Sequence, residues 1–461
     1  MSIKAIILVG GETTGTRFRP LSMDVPKALF PIAGKPIVSH IIDSLLELVD
    51  SGLEEVYLLG YFKDTKPFDK YIEEMKGHYP ELRLKYLSEP YSMGTGGGLF
   101  HFREEIFDNV NYNKVIVIHG DIVCSYPFKS MYEFFEKSQA NMVVLGIDPI
   151  LLLNNYQNHT QVQNRSSFKI YENNKVLSNY GTIIANKSNN RVVHYVEKPS
   201  SSISELRLES SYYTLVNGGV YIFDKTLLEF LVKAQQQREK EINYWSPQFF
   251  DADDNFSANN SSKLSLELDV LKTLPEANST FLTFKSNSFW YQLKTPVSAL
   301  LTNNFFLEKE LQKKCSTALA PSSMNIIPPV KIGRNTILHS KGYKIGPNVS
   351  IGDHVSIGNG VRLKNCIIAD NTIIGDHSYI SGAIISTNVI VGKWCRIEGT
   401  FDSPTITRDI TKIGTDGYFK LINNISVLCQ NNIVKDQVVV YNSIVLPHKE
   451  LKQDIKNELI M

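Results

Sequence analysis

Cysteine is scarce: five in 461 residues, at Cys124, Cys315, Cys366, Cys395 and Cys429. They are odd in number, scattered and without a CxxC pair, so no disulfide framework is expected and they read as buried thiols in a reducing compartment. Long hydrophobic runs are missing too. Nothing approaches the ~18 uninterrupted apolar residues of a membrane span. Charge of one sign is also lacking, since 48 Lys and Arg meet 47 Asp and Glu for a net +1. With no dense basic stripe, a nucleic-acid partner is not expected. Met1-Ser2-Ile3-Lys4 runs straight into an apolar strand, so no leader is expected either, and the setting reads as cytoplasmic without a membrane partner. What remains is 43% hydrophobic and 21% charged, a globular composition. The length exceeds one ordinary core and predicts two domains.

The stretch around which the chain is organised is Gly10 to Phe30, GGETTGTRFRPLSMDVPKALF. The apolar run Ala5-Ile6-Ile7-Leu8-Val9 before it reads as a buried parallel strand. Gly10, Gly11 and Gly15 after a strand let backbone N–H groups close on a phosphate. Thr16, Arg17 and Arg19 follow, and a guanidinium grips phosphate oxygens two at a time. Pro26 fixes a turn that offers Lys27 as a further cation. The pattern is not a Walker loop, because Gly15 is followed by Thr16 and not Lys. Nor is it a dinucleotide fingerprint, because Pro20 stands where a helix should run.

Downstream the pattern alternates. Pro36 opens a helix with Ile37, Ile41, Leu45 and Leu48 on one face. Strands are predicted at Val56–Leu59, Leu84–Leu87 and Val115–Ile118, with a polar helix near 64–77 and another at the cluster Gly94-Thr95-Gly96-Gly97-Gly98. Strand–helix–strand alternation predicts a doubly wound, Rossmann-like parallel sheet. Gly10, Glu89 and Asp121 fall just past strand ends, where such sheets bind ligands. Residues 151–190 are rich in Asn and Gln and read as a surface insertion. Strands follow at Tyr180–Ile184, Val192–Glu197 and Val216–Ile222, and a helix from Thr295-Pro296 bridges to the second domain.

That domain is a repeat. Gly346, Gly352 and Gly358 are six apart, as are Ile345, Ile351, Ile357 and Leu363. Val349, Val355 and Val361 keep the same step, and Ile385, Val391 and Ile397 resume it. A period of six marks a parallel β-helix of hexapeptide repeats. It is interrupted at Thr400–Asn423, resumes weakly through Val439 and ends at Ser443–Pro447. The interruption, with Phe401 and Phe419 among mixed charges, reads as a partner-contacting element.

The Gly10–Phe30 stretch resembles the signature of the sugar-phosphate nucleotidyltransferases, GGxGTRLRPLT followed by PKPL. Glu12, Thr13 and Thr14 stand where that family usually has one residue. The likeness extends over nearly the whole chain. It implies residues 1–294 as the nucleotidyltransferase-like domain, 295–325 as a linker helix and 326–461 as a left-handed β-helix. It implies a reaction in which a sugar 1-phosphate attacks the α-phosphate of a nucleoside triphosphate. Arg17 and Lys27 would then hold phosphates, with Gly10, Gly11, Gly15 and Thr16 framing them. Glu89, Gly94, Thr95 and Gly96 would frame base and ribose, and Asp121 would ligate Mg²⁺. Glu197-Lys198-Pro199 matches the family's second-lysine motif, with Lys198 on the sugar phosphate. Asn217-Gly218-Gly219 matches its sugar-recognition turn, and Gly181 joins that side.

Where the family carries FWxD, this chain has Phe289-Trp290-Tyr291-Gln292, so a neutral amide replaces the second metal aspartate. With the longer loop, this resembles the alpha-type, regulatory subunits of the family's mannose-1-phosphate branch. That implies GDP-mannose or GTP as ligand and a catalytic beta subunit as partner. Three alternatives stand beside it. One is a working transferase making GDP-mannose and diphosphate from GTP and mannose 1-phosphate. Another is a non-enzymatic scaffold like the exchange-factor subunits of translation initiation. The last is an acyltransferase using His354 or His377.

Overall fold

The computed structural model describes residues 2–12, 16–23, 25–107, 112–149, 180–199, 211–245, 263–277, 279–315, 325–339, 342–400 and 425–461. These fall into two bodies. One draws on Met1–Thr14, His40–Tyr156 and Gln163–Tyr291, the other on Gly15–Ser39 and Gln292–Met461.

The first body is a nine-stranded sheet with helices. Its centre is β1 (Ser2–Gly11), where Ile3, Ala5, Ile6 and Ile7 have no exposed surface. Such a run pays no penalty for burial on both faces, as a central parallel strand requires. β1 pairs in parallel with β2 (Leu53–Tyr61), which pairs in parallel with β3 (Arg83–Ser88). On its other edge β1 pairs in parallel with β4 (Tyr112–His119). The chain also contributes β5 (Met142–Ile147), β6 (Thr182–Asn186), β7 (Val192–Val196), β8 (Tyr212–Asp224) and β9 (Phe281–Ser286). Along the sheet the order is β7-β6-β8-β4-β1-β2-β3, with β5 on β8 and β9 on β5.

The sheet is therefore mixed, not wholly parallel. β8 runs antiparallel to β4, β5 and β6, and β6 antiparallel to β7. A buried apolar run reads alike in either direction, so the sequence pattern carried no sign of the reversal. The reversal matters for the site. β1, β3 and β4 end at one edge of the sheet, and the antiparallel β8 brings Asn217 to that same edge, with Val220 opposite Ile118.

Two helices bury the residues that their periodicity marks. Ile37–Leu45 buries Ile37, Ile41 and Leu45 completely, and Lys66–Met75 buries Phe68 and Tyr71. Elements absent from the sequence reading are β5, β9 and the helices Phe128–Ser138 and Leu227–Trp245. Of the Asn-rich insertion, 151–179 lie outside the described residues, while 182–186 form β6.

In the second body, short 3₁₀ turns at Thr16–Phe18, Leu21–Met23 and Lys27–Leu29 lead to a small hairpin, Pro31–Ile32 with Lys35–Pro36. Asn303, on the helix Pro296–Cys315, accepts the Ala33 N–H at 2.9 Å and fixes that hairpin. A helix thus follows Thr295-Pro296, within the second body, and 316–324 lie outside the described residues. Beyond them come parallel strands in two sheets. Ile357 pairs with Ile374, Ile374 with Val391 and Leu363 with Ile380, each 17 positions on. Ile345 pairs with Leu363, 18 positions on. Three hexads make 18, so most steps drop one position. These apolar residues stack in one buried core. Val391 pairs with Val434, 43 positions on, and the interval holds 401–424, which lie outside the described residues. Pairing does not stop at Pro447: Glu450–Leu451, Ile455–Lys456 and Leu459–Ile460 extend both sheets.

His354 and His377 both occupy left-handed turn positions, with φ of 58° and 61°, and the His377 ring stacks on Trp394 at 4.3 Å. Cys124, Cys366, Cys395 and Cys429 are buried thiols. Among the described residues no helix is long and apolar enough to cross a membrane.

Ile357 and Ile374 meet across neighbouring parallel strands in that core. Truncating either to Ala should cost about 2–5 kcal/mol. Because they touch, the double variant should depart from additivity by at least ~0.5 kcal/mol. Urea midpoints of the second body's unfolding transition measure both.

Candidate functional site

The carboxyl edge of the first sheet collects the candidates that the sequence scattered. β1 ends in Gly10 and Gly11, with Gly10 at φ 78°. Glu89 follows β3 and donates its N–H to Gly60 O at 2.9 Å. Gly120 and Asp121 follow β4, with Gly120 N bonded to Leu8 O at 2.9 Å. Gly181 enters through its carbonyl, which accepts Asn217 N at 2.8 Å. Arg17, Lys27 and Gln292 belong to the second body. There Lys27 Nζ donates to Leu293 O at 3.3 Å, next to Gln292. Thr16 and Arg17 form an exposed 3₁₀ turn, and Gly15 lies outside the described residues.

The glycine cluster is a helix, Gly94–His101, rather than an open phosphate loop. Its first free N–H groups are taken: Gly96 N and Gly97 N both donate to Leu264 O, at 2.9 and 3.1 Å. Gly94 sits at φ 83°, and a Cβ there would lie 2.6 Å from that same carbonyl. No other residue type fits so close an approach. The Thr95 hydroxyl donates to Glu267 Oε2 at 2.6 Å and accepts from Leu266 N at 2.9 Å. This cluster is therefore held by the segment 264–267, which no sequence motif marked.

On the sugar side, both amide hydrogens of Asn217 are engaged. Nδ2 donates to Tyr195 Oη at 3.0 Å and Tyr221 Oη at 2.9 Å, while Oδ1 accepts from Gly219 N at 3.0 Å. Tyr195 donates to Glu197 Oε2 at 2.7 Å. A Cβ on Gly181 would lie 2.2 Å from that tyrosine oxygen and 2.7 Å from Glu197 Oε2, so glycine is required by the pair. Lys198, left-handed at φ 46° and 67% exposed, sits 3.5 Å from the other oxygen of Glu197. Trp290, from the FW motif, is buried and donates Nε1–H to Gly218 O at 2.9 Å. It thereby pins the turn that carries Asn217.

His119 and Glu267 complete the network and were not anticipated. His119 Nε2 lies 3.0 Å from Glu267 Oε1, and Tyr221 Oη lies 3.4 Å from the same nitrogen. Burial alone would raise the Glu267 pKa. The His119 bond and charge, with the Thr95 hydroxyl, reverse that and hold it near 2. Burial likewise disfavours charge on His119, and Glu267, Asp121 and Glu197 outweigh it, so its pKa is raised. Both shifts favour the charged forms. A histidine ending one strand and a glutamate 148 residues later make no local pattern, so no spacing rule could have found them.

Glu89 differs. It is buried, and burial raises its pKa to about 7 against a single opposing bond from Met93 N at 3.2 Å.

A sheet whose strand order reverses at β1, with glycines and carboxylates at its carboxyl edge, defines an α/β nucleotide-binding domain. Comparisons with known proteins narrow that class. A family profile described as nucleotidyl transferase matches residues 4–156 and 141–291, and one described as the GMPPB C-terminal domain matches 326–461. The chain is 34% identical over 469 residues to a Schizosaccharomyces pombe protein called probable mannose-1-phosphate guanyltransferase, covering 100% of both. It is 30% identical over 470 residues to the Homo sapiens mannose-1-phosphate guanylyltransferase regulatory subunit alpha, again covering 100% of both. The Xenopus tropicalis regulatory subunit alpha is 30% identical over 469 residues, with the same coverage. The chain belongs to the nucleotidyl transferase family, among the mannose-1-phosphate guanylyltransferases.

The raised pKa of Glu89 has a defined sign. Its contribution to stability is complete below the unfolded value of 4.5 and is lost as pH rises through about 7. Glu89→Gln removes that titration. The variant should gain on the unmodified protein across this window by up to about 3 kcal/mol. Melting temperatures of both proteins from pH 4 to 8 test it, and parallel curves would contradict it.

Proposed function

We propose that this chain is an alpha-type subunit of mannose-1-phosphate guanylyltransferase in GDP-mannose synthesis. It binds GDP-mannose or GTP and regulates a catalytic beta subunit by feedback, in the cytoplasm. The observation that carries the regulatory half is Gln292, a neutral amide beside the carbonyl that holds Lys27. It stands where the family carries a second metal carboxylate. Supporting the binding half, Gly181, Glu197 and Asn217 share one hydrogen-bonded cluster. In this reading Arg17, Lys27 and the loop Gly10, Gly11, Gly15 and Thr16 face phosphates. Lys198 meets the sugar phosphate, and Glu89, Gly94, Thr95 and Gly96 border the nucleoside. We read 1–294 as the nucleotide-binding domain, 295–325 as the linker and 326–461 as a left-handed β-helix of hexapeptide repeats.

The donor set fits Mg²⁺ only alongside a phosphate-bearing ligand. Asp121 would supply a carboxylate and Gln292 an uncharged oxygen, while Mg²⁺ prefers carboxylates and phosphate oxygens. Among the described residues, no three His, Cys, Asp or Glu side chains gather to hold a metal. When bound, the ion would neutralise phosphate charge. The retained Asp121 favours, as a second reading, a transferase that itself makes GDP-mannose and diphosphate.

An assay of GDP-mannose formation on the purified chain, alone and with a beta-type partner, separates these readings. Slow turnover alone, and inhibition of the partner by GDP-mannose only when the chain is present, are expected. Robust turnover of the chain alone would favour the second reading. Gln292→Asp should strengthen Mg²⁺ dependence, read as a lower Mg²⁺ concentration at half-maximal ligand binding. Arg17→Ala and Lys198→Ala should each remove a charge-assisted contact worth about 1.5–3 kcal/mol, a ten- to hundred-fold loss of ligand affinity. The melting temperature without ligand should not move, and a large drop would mark either residue as structural.

A further inference from the structure

The network at the sheet edge is continuous from the glycine helix to Lys198. Thr95 bonds Glu267 Oε2 at 2.6 Å, and Ser265 Oγ bonds the same oxygen at 3.0 Å. Glu267 Oε1 faces His119 at 3.0 Å. An ionised carboxylate can only accept, so the facing Nε2 carries the proton. That nitrogen also lies 3.4 Å from Tyr221 Oη, and the two rings meet edge to face at 5.8 Å. Tyr221 and Tyr195 hold both amide hydrogens of Asn217, and Tyr195 holds Glu197. All of these residues belong to the first body.

We infer that Glu267 and His119 are positioning residues that couple the nucleoside half of the site to its sugar half. This rests on the reading above that the ligand is a nucleotide sugar. Three features carry it. First, side-chain bonds pass from the Thr95 side to the Asn217 side through Glu267, which faces His119 at 3.0 Å and also bonds Tyr221. Second, the N-terminal N–H groups of the glycine helix are already held by Leu264, so that helix moves together with the segment bearing Glu267. Third, Asn217 has no spare amide hydrogen. A sugar hydroxyl seeking one must displace a tyrosine, and Tyr221 transmits that change to His119 and Glu267. Buried, fully partnered polar groups leave few alternative arrangements, so a shift at one end biases the other. Such coupling is reciprocal between ligands.

Equilibrium titrations of the full chain with GMP, with mannose 1-phosphate, and with each in the presence of the other measure the coupling without turnover. In the unmodified chain, one ligand should tighten the other at least about five-fold. In Glu267→Ala that factor should fall to about one, with the affinity for each ligand alone held within about three-fold. Glu267→Gln keeps an acceptor for Thr95 and a bond to His119, and should restore part of the coupling. Should Glu267→Ala fail to fold, His119→Asn removes one of the two contacts of Glu267 on the sugar side and should lower the coupling factor about two-fold. An unchanged coupling factor in a folded variant overturns the inference. So does an equal loss of both single affinities, which marks a purely structural role. Binding of both ligands without coupling in the unmodified chain sinks this inference alone. Binding of neither sinks the functional reading and this inference with it.

Discussion

Hydrogen bonding along both edges of β1 is the constraint from which the first body follows. A strand paired on both sides, and apolar through its length, must lie at the centre of the sheet. Parallel neighbours then require crossovers, and crossovers bring every strand end to a common edge. Gly10, Glu89 and Asp121 owe their shared location to this and to nothing in their own neighbourhoods. The antiparallel β8 adds the other half. It delivers Asn217 to the same edge from the opposite chain direction, so two sequence regions of unlike pattern meet.

That geometry explains what could be read in advance. Gly10, Gly11 and the apolar run before them are local features, and local features survive in a sequence. The six-residue recurrence through Ile345, Ile351, Ile357 and Leu363 is equally local, and the parallel pairing of Ile345 with Leu363 agrees with it. The direction of β8 was hidden because alternation and burial do not encode strand polarity. The 17-position step was hidden because the hexad describes neighbours along the chain, whereas the step is set by pairing between turns.

The polar network was hidden for a different reason. Tyr195 and Tyr221 look like ordinary strand aromatics, and β-branched or aromatic residues are expected there. Only pairing places their hydroxyls on either side of one amide. Glu267 lies 172 residues from Thr95. In sequence it is one acid in Ser265-Leu266-Glu267-Leu268-Asp269, indistinguishable from a solvated helix face. Its burial makes it consequential, since removing a partner from a buried ion pair costs about 3–5 kcal/mol. The motifs therefore marked residues of the proposed ligand site, and missed those that hold them in place.

The pairing of short strands in the second body sets where it tolerates added chain. One residue added within Ile373–Ile374 would turn the inward side chain outward and misalign each later strand. Whole segments added between strands leave the ladder intact, as the 43 positions from Val391 to Val434 demonstrate. Gaps in alignments of relatives should thus gather at the turns and be nearly absent from the paired dipeptides, so that the body's evolutionary history is written in its corners.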